Sequence, residues 1–104
     1  MLRLAEIKII TADELKDKLE KGEKLELVDV REDEEVAAGK IPEANHIKMG
    51  EIPANLDYFN KNKEYIFICR SGRRSDHVCE YLQAQGYKVS NMIDGMIGWS
   101  GKVK

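Results

Sequence analysis

The spacing of apolar residues predicts a strand, a helix and a second strand in the first thirty positions. Residues 7–10 (IKII) and 25–30 (LELVDV) are short runs rich in apolar and β-branched side chains, which is typical of strands. Between them Leu15 and Leu19 are four residues apart and therefore share one face of a helix. The segment Thr11–Glu14 has the spacing of a capping box and marks the start of that helix.

The alternation of strand and helix patterns continues towards the C-terminus. The run YIFI at residues 65–68 is apolar at every position, as in a central strand buried on both faces. A helical pattern follows at 73–85, with Val78 and Leu82 on one side. The other expected elements are a helix at 32–38, a strand around 46–49, a short helix with Pro53 in its first turn and a last strand at 88–93.

Strands that alternate with helices predict an α/β fold. We expect three layers, in which a mainly parallel central sheet of about five strands has helices on both faces. The length of 104 residues fits a single domain over 1–104. In such sheets ligands bind outside the carboxyl ends of the strands, so the residues that follow each strand are the first candidates for a site.

The composition narrows the classes of function. The chain is 42% apolar and 35% charged, as in an ordinary globular protein, and its net charge of −2 argues against nucleic-acid or anionic-membrane binding. No apolar run reaches the ~18 residues of a membrane span, and the N-terminal segment MLRLAEIKIITADELKDK lacks the apolar stretch of a secretory leader. With only two cysteines, we expect a cytoplasmic protein without a disulfide framework.

The stretch FICRSGRRSD, residues 67–76, concentrates positive charge around a thiol. Cys69 ends the apolar run, and Arg70, Arg73 and Arg74 follow within five residues. Gly72 tolerates the positive φ that a tight loop demands. A loop curled around the sulfur would direct backbone N–H groups at it, and the start of the next helix would add partial positive charge. These features favour a thiolate over a thiol and predict a nucleophile or an anion-binding site.

Several stretches, in the same order along the chain, resemble the rhodanese domains. The matching stretches are C-x-x-G-x-R-S at Cys69, Gly72, Arg74 and Ser75, LVDVRE at 27–32, GKIPEANHI at 39–47 and DGMIGW at 94–99. They extend over most of the chain. The chain departs from the family pattern at Lys40, Glu43 and Asp94, none of which lies in the cysteine loop.

The resemblance implies sulfur transfer. The Cys69 thiolate would attack thiosulfate or a persulfide, become a cysteine persulfide and pass the sulfur to a nucleophilic acceptor, such as a thioredoxin-like protein. No cofactor or metal is implied. The active-site loop would consist of Cys69 with Arg70, Ser71, Gly72, Arg73, Arg74 and Ser75. Arg74 matches a family position, whereas charge and proximity are the grounds for giving Arg70 and Arg73 a role in attracting an anionic donor.

Two other functions remain open. A non-catalytic sulfur carrier or docking module is one, although the presence of Cys69 counts against a module without chemistry. A cysteine-dependent phosphatase is the other, but its C-x5-R loop is one residue longer than the C-x4-R spacing from Cys69 to Arg74. The shorter loop has room for one added sulfur and poorly accommodates a phosphoryl group.

Asp29 and Arg31 belong to the D-V-R stretch at the end of a strand. We expect them to brace the active-site loop through hydrogen bonds.

Other reactive or polar side chains are expected to be structural. Cys79 has the position of a core residue, with a resolving thiol as the alternative, and Trp99 that of a core anchor. His77 and His46 are expected at the surface or in packing and caps, and the acidic run at 32–35 as a solvated helix start.

Overall fold

A computed structural model describes residues 6–104 and shows a five-stranded sheet between two layers of helices. The first five residues, on which part of the expected absence of a leader depends, lie outside the described residues. The strands are β1 (Lys8–Ile10), β2 (Glu26–Asp29), β3 (Asn45–His46), β4 (Glu64–Ile68) and β5 (Lys88–Met92). The helices are α1 (Ala12–Glu20), α2 (Asp33–Ala37) and α3 (Arg73–Gln83), with 3-10 helices at Met49–Glu51, Pro53–Tyr58 and Met96–Gly98.

All strand pairs are parallel, in the order β1-β5-β4-β2-β3. The predicted α/β fold is confirmed, and the apolar run of β4 is the central strand, as its burial on both faces requires. Because the strands are parallel, their carboxyl ends lie at one edge of the sheet. Cys69 directly follows β4 at that edge.

Each face of the sheet carries its own apolar core. Alternate residues of β4 separate the cores, because successive side chains of a strand point to opposite faces. Tyr65 and Phe67 pack with α3, whereas Ile66 and Ile68 pack with α1. Cys69 belongs to the core that contains α3.

Local sequence signals place most element ends correctly. The Thr11 side chain accepts a hydrogen bond from the Glu14 amide, and the Glu14 side chain accepts one from the Thr11 amide, so the capping box is confirmed. Three predictions need correction. The strand expected around 46–49 spans only Asn45–His46, and Met49 begins a 3-10 helix. The last helix ends at Gln83 rather than residue 85, and the segment that begins at Pro53 is 3-10 helix interrupted by non-helical geometry at Asn55. None of the helices within residues 6–104 combines the length and apolar character needed to cross a membrane.

Candidate active site

The loop after β4 curls tightly because a glycine adopts left-handed geometry at its end. Gly72 has φ +89° and is the N-cap of α3, so the positive φ expected there is confirmed. A side chain at this position would also overlap the Ile93 carbonyl group. Arg73 and Arg74 are therefore the first two residues of α3 rather than part of the loop. The curl leaves Cys69 fully buried at the centre.

Several donors converge on the Cys69 sulfur. The Gly72 amide donates to Sγ at 3.1 Å, and the Ser75 hydroxyl oxygen lies 3.2 Å from Sγ. Burial, the largest single effect, raises the pKa of the Cys69 thiol, but hydrogen bonds from the Ser75 side chain and from the amides of Ser75, Ser71 and Gly72 together outweigh it. The net result is a pKa below the ordinary value of a cysteine. This environment favours a nucleophilic thiolate.

A buried polar chain extends from the sulfur into the sheet. Ser75 lies in the first turn of α3 and is fully buried, and its Oγ is 2.5 Å from Oδ1 of Asn91 on β5. Asn91 is 3% exposed, and its Nδ2 donates to the Gly72 carbonyl at 2.9 Å. Asn91 is thus bonded to Ser75 and to Gly72, the two residues whose hydrogen bonds to Sγ are described above.

The segment after β5 forms the other wall of the loop. The Met96 amide donates to the Cys69 carbonyl at 2.9 Å, and the Ile97 amide donates to the Arg70 carbonyl at 3.0 Å. Gly95, at φ +63°, is so close to Arg70 that a side chain there would overlap its backbone. The loop is therefore held on both sides, by Asn91 within β5 and by the 3-10 helix that follows.

Arg74 is held by a carboxylate from another element. Its Nη1 and Nη2 donate to Oε1 and Oε2 of Glu35 at 2.7 and 2.8 Å. The hydrogen bond from Arg74 is the main reason that the pKa of Glu35 falls to about 2. The expectation that the whole acidic run at 32–35 is solvated is therefore wrong for Glu35, because it lies at the sheet edge next to α3. The Arg74 charge acts on Cys69 while its donors are occupied by Glu35.

Arg70 and Arg73 are placed differently from Arg74. Both are exposed, and within residues 6–104 no ion pair joins either of them to a carboxylate. Ser71, also exposed, lies between Arg70 and Gly72 at the tip of the loop. The two exposed arginines flank a buried sulfur, which suits attraction of an anion from solvent.

Asp29 and Arg31 form a buried ion pair at the end of β2. Arg31 Nη2 donates to Asp29 Oδ2 at 2.7 Å, and the two side chains are 7% and 0% exposed. Arg31 also donates to the carbonyls of Glu35 and Gly39, at 3.3 and 2.8 Å. The pair was expected to brace the cysteine loop directly. It instead holds the middle of α2 at Glu35 and the residue Gly39 that follows the helix, and it acts towards the loop through Glu35 and Arg74.

The other cysteine, the tryptophan and the two histidines have positions that fit structural roles. Cys79 is fully buried in the core beneath α3, and Trp99 packs against the core on the α1 side. The His77 side chain is 66% exposed, and His46 Nε2 is 2.7 Å from the Arg31 carbonyl oxygen. No group of three or more His, Cys, Asp or Glu suited to a metal ion occurs in the described part of the chain.

Two residues of the site were missed in the sequence. The local pattern predicts that Glu35 lies in a solvated helix start, and it does not indicate the pair because Arg74 is 39 positions away. Asn91 did carry a signal. It is a polar side chain directly before the apolar Met92 in β5 (KVSNM), at a position that pairs with Phe67 of the central strand, and a polar group buried there must be hydrogen-bonded.

Comparison with known proteins agrees with the rhodanese resemblance of the sequence along nearly the whole chain. The family model described as "Rhodanese-like domain" matches residues 11–102. "Putative sulfurtransferase YtwF" of Bacillus subtilis is 56% identical over 99 residues, covering 95% of this chain and 96% of that protein. "Putative sulfur carrier protein YrkF" of the same organism is 38% identical over 96 residues, covering 91% of this chain and 52% of that protein.

A solved structure agrees in both sequence and backbone. The rhodanese-like domain protein from Staphylococcus aureus has a TM-score of 0.89 and 46% identity, covering 94% of this chain and 97% of that one. The family model's match over residues 11–102 includes Cys69, the strand β4 that precedes it and the neighbouring strands β2 and β5. The chain belongs to the rhodanese-like domain family.

Proposed function

We propose that the protein is a sulfurtransferase that carries sulfane sulfur as a persulfide on Cys69. The observation that supports this most is the convergence of the Gly72 amide and the Ser75 hydroxyl on Sγ, at 3.1 and 3.2 Å, at the carboxyl end of the central strand. The name sulfurtransferase on a relative that is 56% identical supports the same class of reaction. A covalent intermediate of this kind divides one transfer into two easier steps.

Thiosulfate serves as the donor in the first step. The Cys69 thiolate attacks the outer sulfur of thiosulfate, a new S–S bond forms, and the bond to the sulfite sulfur breaks. Sulfite leaves with the electron pair, and Cys69 becomes a persulfide anion. In the second step a nucleophilic acceptor, such as cyanide or a thiolate, attacks the outer sulfur, and the Cys69 thiolate leaves with the electron pair of the S–S bond. Charge and atoms balance in both steps without a cofactor.

The loop has two tasks in the first step: it attracts the anionic donor, and it admits the donor to the buried sulfur. Arg70 and Arg73 attract the anionic donor from solvent. Because Cys69 has 0% exposed surface, the donor reaches Sγ only when the tip of the loop moves aside. Ser71 is exposed at that tip, whereas the Arg70 backbone is held by the Ile97 amide, so the motion is confined to Ser71 and the exposed Arg70 side chain.

The ion pair of Arg74 counts against phosphatase chemistry. A phosphatase arginine clamps the phosphoryl oxygens with its two donors, but those of Arg74 are already bonded to Glu35 at 2.7 and 2.8 Å. The amide of Gly72 also lies so close to Sγ that the loop surrounds one sulfur rather than a phosphate.

A sulfur carrier is the second candidate, favoured by the name of the relative that is 38% identical and about twice as long as the matched segment. A carrier and an enzyme share the Cys69 persulfide and differ in turnover. The test is multiple-turnover release of sulfite from thiosulfate with cyanide or a dithiol as acceptor. We expect many turnovers per molecule for the wild type and for Cys79→Ser, and none for Cys69→Ser.

One equivalent of sulfite followed by no further release would identify a carrier. Activity that survives Cys69→Ser would overturn the proposal. Hydrolysis of p-nitrophenyl phosphate that depends on Cys69 would favour the phosphatase instead.

A further inference from the structure

The hydroxyl group of Ser75 has one proton and two acceptors. Its Oγ lies 3.2 Å from Cys69 Sγ and 2.5 Å from Asn91 Oδ1. A hydroxyl group donates one hydrogen bond, so Ser75 cannot donate fully to the sulfur and to the amide oxygen at the same time. Which acceptor receives the proton determines how far Ser75 stabilises the thiolate.

When Cys69 is a thiol, the orientation of Asn91 settles where the Ser75 proton lies. The Gly72 carbonyl is an acceptor, so the Asn91 atom 2.9 Å from it is the NH2 group. The amide oxygen then faces Ser75 and, as an acceptor only, takes the hydrogen bond from the Ser75 hydroxyl group. The lone pairs of Ser75 are therefore left for Cys69, and a thiol proton on Sγ fills the contact.

We propose that Asn91 is a positioning residue that competes with the Cys69 sulfur for the Ser75 proton. With Cys69 as a thiol, the hydrogen bonds run in one direction, from Cys69 through Ser75 and Asn91 to the Gly72 carbonyl. When the thiolate forms, the Ser75 hydroxyl turns towards Sγ, and the buried Asn91 oxygen loses its donor. The thiolate is therefore less stabilised than the loop alone would make it.

The competition between Asn91 and Cys69 for the Ser75 proton would assist sulfur transfer. This part of the inference rests on the proposed function. In the persulfide the negative charge lies on the outer sulfur, so Sγ becomes a weak acceptor. Ser75 then returns its proton to Asn91, and the buried amide oxygen regains its donor. The Asn91 bond thereby opposes the thiolate and favours the persulfide.

The experiment is a double-mutant cycle on the Cys69 pKa with Ser75→Ala and Asn91→Leu, singly and together. The rate of iodoacetamide alkylation is followed against pH, with the peptides of Cys69 and Cys79 resolved by mass spectrometry after tryptic cleavage at the intervening arginines. Leucine has the branched shape of asparagine, with the same number of side-chain heavy atoms, and offers no acceptor. The Gly72 carbonyl keeps its other donor, the Asp76 amide at 3.2 Å, so the turn retains a bond there.

We expect Asn91→Leu to lower the Cys69 pKa by about one unit, since the cost of an unpaired buried oxygen no longer opposes the thiolate. In the Ser75→Ala background the same substitution produces no such fall. A merely structural role for Asn91 would instead raise the pKa, or shift it equally with and without the Ser75 hydroxyl. Either of those results overturns the inference.

The charged groups around Cys69 are the same in all four proteins. They are Arg70 in the loop, Arg73 and Arg74 on α3, Glu35 on α2, which is paired with Arg74, and Asp94 after β5, whose carboxylate accepts from the Ala12 amide. Their effects therefore cancel in the cycle.

The pKa experiment has a substitute variant and does not depend on sulfur transfer. If Asn91→Leu does not fold, as judged by circular dichroism, Asn91→Ala removes the same acceptor with less demand on packing. Alkylation needs no sulfur donor, so the cycle succeeds or fails independently of persulfide formation.

Discussion

Glu35 on α2 accepts two hydrogen bonds from Arg74 on α3, at 2.7 and 2.8 Å, and so joins two helices across the edge of the sheet that holds Cys69. The pair fixes the first turn of α3, which also carries Ser75. Its loss should therefore be measurable both in stability and in the pH dependence of stability.

Glu35→Gln should lower the free energy of unfolding at neutral pH by about 1–2 kcal/mol, since the charge-assisted pair is only partly screened by solvent. Glutamine still serves in the capping box of α2, so the substitution isolates the ion pair. Glu34→Gln, at an exposed neighbouring position, is the matched control and should cost less than about 0.5 kcal/mol.

The contribution of Glu35 also has a defined pH range. Its pKa is lowered in the folded protein to about 2, so the stabilisation is complete above the carboxyl pKa of the unfolded chain, roughly 4.3. It is lost as the pH falls through about 2. Urea unfolding at several pH values should show the wild type and Glu35→Gln converging in acid. A difference that stays constant with pH would contradict the assignment.

Gly72→Ala should disrupt the site, because an alanine side chain would require a strained φ and would overlap the Ile93 carbonyl group. We expect a stability loss of more than about 2 kcal/mol and a large loss of sulfur transfer. Gly22→Ala is a close control, since Gly22 has φ +82° but open space around it. It should cost about 1 kcal/mol and leave activity unchanged. Equal effects of the two substitutions on activity would show that the tight turn is dispensable.

Arg31→Met should be among the most destabilising substitutions outside the cores. It leaves the Asp29 carboxylate, which is 0% exposed, without its partner, and such a loss costs about 3–5 kcal/mol. Lys48→Met removes an ion pair to Asp33 whose carboxylate is 71% exposed, and it should cost less than about 1 kcal/mol. Chemical denaturation of both variants tests the difference. A cost for Arg31→Met as small as that for Lys48→Met would argue against a bracing role.

Replacing Arg70 and Arg73 together by glutamine should raise the KM for thiosulfate by about three- to tenfold at low salt, with a smaller effect at high salt. Both side chains are exposed, so no folding defect is expected. Lys88→Gln removes an exposed charge at the start of β5, the opposite end of the sheet, and serves as the control. An effect of the double substitution on kcat alone would place the arginines in the chemistry rather than in donor attraction.

The sequence was sufficient for features that depend on neighbouring residues. The Thr11–Glu14 capping box, the left-handed Gly72 and the buried run of β4 each follow from a few adjacent positions, and all three are confirmed. The position of Cys69 at the sheet edge follows from the strand pattern.

What the sequence did not reveal depends on how distant segments meet. Ser75 and Asn91 are brought together only because β5 lies beside β4 in a register that pairs Phe67 with Asn91. Glu35 reaches Arg74 only because α2 and the start of α3 follow adjacent strands at the same edge. Residue types and local spacing do not encode those distances.

The most direct test of the central claim is the intact mass of the protein after incubation with thiosulfate and removal of excess reagent. We predict that the wild type and Cys79→Ser gain the mass of one sulfur atom, that cyanide removes it, and that Cys69→Ser gains none. A wild-type protein that stays unmodified, or a Cys69→Ser protein that gains sulfur equally, would contradict a persulfide on Cys69.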